Sequence, residues 1–146
     1  MKFPKLNFSS FFPRIQQKGE KLFIFDVIRK KFVALTPEEW VRQHLIHELM
    51  LKNYPPALIS VESGLNIEKM SKRTDVLTFD RNGKPFLLIE CKSFELALTE
   101  KSLNQVFQYN FYIKAPYFAL TNGYVYYIAK TLENGKWETL EDFPKL

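Results

Sequence analysis

The sequence predicts a mixed α/β (α+β) fold, in which a mixed β-sheet is flanked by helices. Two segments, near residues 37–52 and 100–113, carry helix start signals followed by an apolar stripe at helical spacing. The rest is punctuated by short apolar runs bounded by Gly, Pro and Asn, as strands are. Read in order, the elements are a hairpin, a helix, three strands, a second helix and two strands. A helix set between strands that otherwise pair in sequence gives a mixed sheet with helical cover.

Residues 1–20 have no clear period, yet Phe8, Phe11 and Phe12 are too apolar for a free tail. They are expected to form an arm packed on a single domain of residues 21–146. Leu22 to Phe25 and Phe32 to Leu35, joined by a basic turn at Arg29-Lys30, read as a strand pair. Thr36-Pro37-Glu38-Glu39 starts the first helix, with Thr36 as cap, Pro37 in the first turn and Glu39 placed for a capping box. Val41, Leu45 and Leu49 form its apolar face, bordered by Glu38 and Arg42 at i, i+4. Tyr54-Pro55-Pro56 ends it, and residues 58–63 read as a short strand carrying Glu62 towards the sheet.

The central hairpin spans about 72–92. Thr99 caps the second helix, whose Leu103, Val106, Phe107 and Asn110 or Phe111 face inward, with Gln105 and Tyr109 on an adjoining strip. Residues 117–120 and 124–129 read as strands around Thr121-Asn122-Gly123, and residues 131–146 as a turn and a partly ordered tail.

At 146 residues, 46% apolar and 16% aromatic, the chain can bury one core without staples. Cys91 is its single cysteine, which excludes an intrachain disulfide and a cysteine-built zinc site and suits a buried thiol. No apolar run reaches the roughly 20 residues of a spanning helix, and the N-terminus lacks a signal-peptide layout, so a cytoplasmic protein with no membrane association is expected. The formal charge of +5 is compatible with a polyanionic partner, though a solvated surface accounts for it almost as well.

The chemistry concentrates at the central hairpin. If Asn82-Gly83 is a two-residue loop, 81 pairs with 84, 79 with 86, 77 with 88 and 75 with 90. Asp75 then faces Glu90, and Arg73 faces Lys92, all on one side of the sheet. Opposed carboxylates have Cβ atoms roughly 4.5–5.5 Å apart and repel unless a proton, a protein cation or a metal ion intervenes. Oxygen-only ligands suit a hard divalent cation such as Mg²⁺. The pattern therefore suggests metal-assisted phosphodiester hydrolysis, with Asp75 and Glu90 holding the ion and Lys92 acting on the attacking water or the developing charge. A solvated strand end with a surface ion pair is the plainer reading, but the apolar residues on both faces of residues 86–89 place these charges at the edge of a buried layer.

Asp75, then Glu90-Cys91-Lys92, then Gln105-Val106-Phe107-Gln108-Tyr109 resembles the PD-(D/E)xK nuclease superfamily. With Thr36-Pro37-Glu38-Glu39-Trp40-Val41-Arg42-Gln43 and Thr121-Asn122-Gly123, the pattern over about 22–130 resembles the N-terminal domain of the type I restriction enzyme R subunit in stand-alone form. Thr74 stands where the superfamily motif has its proline. The resemblance implies a restriction-endonuclease-like core, Mg²⁺ or Mn²⁺ as cofactor, and cleavage of DNA. It implies Asp75, Glu90 and Glu38 as metal ligands, Lys92 as the catalytic lysine and Gln105 as a residue orienting it. Tyr109, Arg73 and Arg42 would contact the nucleic acid. Glu38 fits better than Glu39, which serves the cap. With no helicase motor after these motifs, partner motor or specificity proteins are expected.

His44 and His47 are expected at the surface or its boundary. Tyr124, Tyr126 and Tyr127 could stack on bases, but in a strand they are expected to be core. Two other functions stay open: a non-catalytic nucleic-acid-binding or adaptor module that keeps the fold, and a protein whose charged cluster is structural.

Overall fold

A computed structural model describes residues 3–61 and 76–146 of the chain. Strands β1 (Ile15–Lys18), β2 (Lys21–Asp26) and β3 (Lys31–Ala34) form a three-stranded antiparallel sheet. Helix α1 (Pro37–Leu51) follows, then β4 (Ile59–Val61), β5 (Val76–Phe79), β6 (Pro85–Cys91), helix α2 (Glu100–Ile113), β7 (Tyr117–Thr121), β8 (Tyr126–Thr131) and β9 (Trp137–Leu140). β4 to β9 lie in sequence order in one sheet, antiparallel throughout except for β6 and β7, which are parallel and joined through α2. The fold is thus mixed α+β, consistent with a nuclease-like α/β architecture.

Both helices begin where their cap residues dictate. Thr36 Oγ1 accepts from the Glu39 amide at 3.0 Å, and Thr99 Oγ1 from the Ser102 amide at 3.1 Å. Val41, Leu45, Ile46 and Leu49 of α1 are fully buried, each stabilising the fold by about 1.5–3 kcal/mol. On α2 it is Asn110 that turns inward, its side chain bonding both backbone groups of Ala115, while Phe111 is exposed.

Strand alternation gives the large sheet two apolar faces, as both-sided patterning requires. Leu87, Ile89 and Cys91 join α1, Leu6 of the arm and Phe143 of the tail in one core cluster. Leu77, Leu88, Phe118 and Leu120 join Val106, Tyr109 and Ile113 of α2 in the other. Among the described residues no helix is long and apolar enough to cross a membrane.

Several expectations change. The arm, where the sequence shows no period, ends in a strand, Ile15–Lys18, that joins the small sheet. The tail is ordered by β9, by burial of Phe143, and by a hydrogen bond from the Tyr54 hydroxyl to the Pro144 carbonyl. The central hairpin does not close over two residues. Asp80 closes it instead, its amide donating to the Lys84 carbonyl at 2.8 Å and its carboxylate accepting from the amides of Asn82 and Lys84. Phe79 pairs with Pro85, one residue off the expected register, and an irregularity between Thr78 and Phe79 then shifts the ladder by one. Beyond it, Leu77 faces Leu88 and Val76 faces Ile89, on the expected register.

Candidate functional site

Glu90 lies on the last turn of the pleat in β6 and Lys92 just beyond it. Because Leu88 belongs to the α2-side cluster and Ile89 and Cys91 to the α1-side cluster, alternation puts Glu90 on the α2 side. The Lys92 amide donates to the Thr121 carbonyl at 2.8 Å, carrying the β6–β7 pairing one residue past the strand. Lys92 Nζ stands 3.7 Å from Glu90 Oε1, with both side chains partly buried. This is an ion pair held at the end of a central strand. The partners expected across the hairpin, Asp75 and Arg73, and Glu62 beside them, lie outside the described residues.

The start of α1 holds a second charged group. Glu39 is buried, and its carboxylate accepts from Arg29 Nη2 at 2.9 Å, Arg42 Nη1 at 2.7 Å and Gln43 Nε2 at 2.9 Å. Arg29 in turn binds Asp26, which is fully buried at the end of β2. Burial pushes the Asp26 carboxyl up, but hydrogen bonds from the Arg29 backbone and side chain and its charge outweigh this and hold it below its ordinary value. The cluster clamps the small sheet to α1. Glu39 therefore does not return its carboxylate to the helix cap; it serves this clamp. Glu38 is half-exposed and pairs with Arg42 at 3.3 Å.

Arg42 was expected to meet nucleic acid, but it is 3% exposed, because i, i+3 and i, i+4 spacing bring Glu39 and Glu38 to it. Tyr109 was expected to meet the nucleic-acid backbone, but it is 5% exposed and sits in the α2-side core. Gln105 is partly buried one turn before it. His44 is buried rather than at the boundary: its Nδ1 donates to the Trp40 carbonyl at 2.8 Å, and burial lowers its pKa below the ordinary value. His47 is partly buried and stacks on Phe11.

A cavity of about 530 Å³ is lined by Thr36, Glu38, Glu39 and Arg42 together with Ser93 and Glu95. It brings the start of α1 beside the segment that follows Lys92. Glu90 supplies one hard oxygen donor of the kind Mg²⁺ takes. Among the described residues no group of three or more His, Cys, Asp or Glu gathers to hold one, and the expected second ligand is Asp75.

Thr121-Asn122-Gly123 is a structural turn. Asn122 Oδ1 accepts from the amides of Tyr124 and Val125, and its Nδ2 donates to the Leu96 carbonyl, tying the turn to the segment after β6. Gly123 has φ of +92°, and a Cβ there would lie 2.8 Å from a Leu6 methyl. Tyr124, Tyr126 and Tyr127, expected in the core, are each more than one-third exposed. How much of each ring a distant segment covers is not set by strand periodicity.

These features define a mixed α+β domain with an acid–lysine pair at the end of its central strand. A family model for the type I restriction enzyme R protein N terminus (HSDR_N) matches residues 37–144, and the chain belongs to that family. No curated protein sequence matches the chain. The family sets the domain in a restriction and DNA-processing context.

Proposed function

We propose that this domain is a metal-dependent nuclease, cytoplasmic in location, that hydrolyses DNA phosphodiester bonds alongside partner motor or specificity proteins. The observation that carries the reading is the Glu90–Lys92 pair at 3.7 Å, set at the end of a strand buried on both sides in a chain of the restriction R-protein family. Asp75 and Glu90, with Glu38 as the third expected ligand, would hold Mg²⁺ or Mn²⁺, whose charge would favour an ionised water and offset charge developing at phosphorus.

Glu90 shares a face with Lys92, so its carboxylate holds the ammonium beside it, directed at the same phosphate. Lys92 then orients the attacking water and stabilises the phosphorane oxygens. Partial burial strengthens both effects by excluding water from the pair. Gln105, on the helix covering this face, positions the lysine. Arg73 contacts the DNA backbone.

Supercoiled, linear duplex and single-stranded DNA incubated with Mg²⁺ or Mn²⁺ should be cut by the wild-type protein and left intact by Lys92→Ala and Asp75→Ala. Salt-dependent DNA binding without cleavage under any of these conditions would replace this reading with the non-catalytic adaptor. Calorimetric titration of Mn²⁺ should give binding that Asp75→Ala removes.

A further inference from the structure

Tyr127 occupies a place in the sheet that its sequence neighbours do not. Glu90 of β6 pairs with Leu120 of β7, and Leu120 pairs with Tyr127 of β8, so the three share one rung. Leu120 lies in the α2-side cluster, as do Phe118 and its partner Ala129, which puts Glu90 and Tyr127 on that same face. Two strand spacings separate their backbones, about 10 Å. Leu120 between them is fully buried, while Tyr127 is 42% exposed. Its neighbour Tyr126 points to the opposite face, stacked between Phe8 at 5.8 Å and Phe143 at 5.7 Å. Among the described residues no ring lies against Tyr127.

We infer that Tyr127 is a nucleotide-stacking residue beside the proposed cleavage site, taking the base of an unpaired nucleotide whose backbone runs over Glu90 and Lys92. The inference rests on the nucleic-acid reading above. A tyrosine has a flat apolar face and a polar edge, so partial exposure suits stacking, and every base presents a π-face to it. Within a duplex, both faces of a base are covered by its neighbours. A ring fixed on a strand can therefore stack only on a base that is unpaired, frayed or turned out. The substrate class that follows is single-stranded DNA, or a duplex with an unpaired nucleotide at the cut.

The test is fluorescence anisotropy of labelled single-stranded and duplex oligonucleotides in Ca²⁺, with wild type, Tyr127→Ala and Tyr127→Phe. Tyr127→Ala should weaken single-strand binding by about 5- to 100-fold and leave duplex binding unchanged. Tyr127→Phe, which keeps the ring and loses the hydroxyl, should bind like wild type. Unchanged single-strand affinity in Tyr127→Ala, or an equal loss in Tyr127→Phe, overturns the inference. If that happens while Lys92→Ala still abolishes cleavage, the nuclease reading stands without it. A wild-type protein that binds neither oligonucleotide overturns both.

Discussion

Glu39 at the start of α1 and Glu90 at the end of β6 are both acidic side chains flanked by basic ones, and their surroundings separate them. Glu39 is buried and takes hydrogen bonds at 2.7–2.9 Å from two arginines and a glutamine. Glu90 is partly buried and meets its lysine at 3.7 Å, longer than a hydrogen bond. Charges in the first group hold one another at contact distance. Those in the second are close enough to share a field while the ammonium keeps its directed donors for another acceptor. One geometry suits a structural clamp, the other a site.

The largest expected difference is at Lys92. Lys92→Ala should lower cleavage by about a hundred- to a thousandfold, as loss of one transition-state donor does, with a melting temperature close to wild type. A large loss of stability with proportionate loss of activity would move Lys92 into the structural class and erase the contrast. Glu39→Ala should do the reverse. It removes the carboxylate that Arg42 and Arg29 share, leaving Arg29 its pair with Asp26 and Arg42 its pair with the half-exposed Glu38, and should cost about 3 kcal/mol in urea unfolding, the lower end for a broken buried pair.

Gly123→Ala should come next, at about 1–3 kcal/mol, since it combines a left-handed φ with a 2.8 Å approach to Leu6. The effect should shrink when Leu6→Ala makes room, which thermal unfolding of the double variant would read. A smaller effect concerns pH. The folded-state pKa of Asp26 lies below its ordinary 3.8, so its stabilisation is present above that value and is lost as pH falls through the folded pKa. Asp26→Asn should flatten the acid limb of stability below pH 3.8 and leave the limb above it parallel to wild type. Smallest is Glu38→Gln, whose half-exposed pair should change stability by less than about 1 kcal/mol.

The hairpin shows how a register can be right for the wrong reason. Asn82-Gly83 invites a two-residue loop, but Asp80 makes four turn hydrogen bonds, with Asn82, Gly83 and Lys84, and the loop lengthens. The irregularity at Thr78–Phe79 then restores the expected pairing at Leu77 and Val76. The two local departures offset each other by the pair Val76–Ile89.

By itself the sequence determined what short-range physics governs: both helices from their caps and apolar stripes, the alternation of β6, and the adjacency of Glu90 and Lys92 on one face. These depend on backbone periods and neighbours a few residues apart. Only the tertiary structure decided that Glu39 belongs to a clamp reaching back to Asp26, that Arg42 and Tyr109 are buried, and that Tyr127 is exposed on the rung of Glu90. Each of these depends on where a helix or a distant strand covers the sheet, and that coverage is set by packing between segments far apart in the chain.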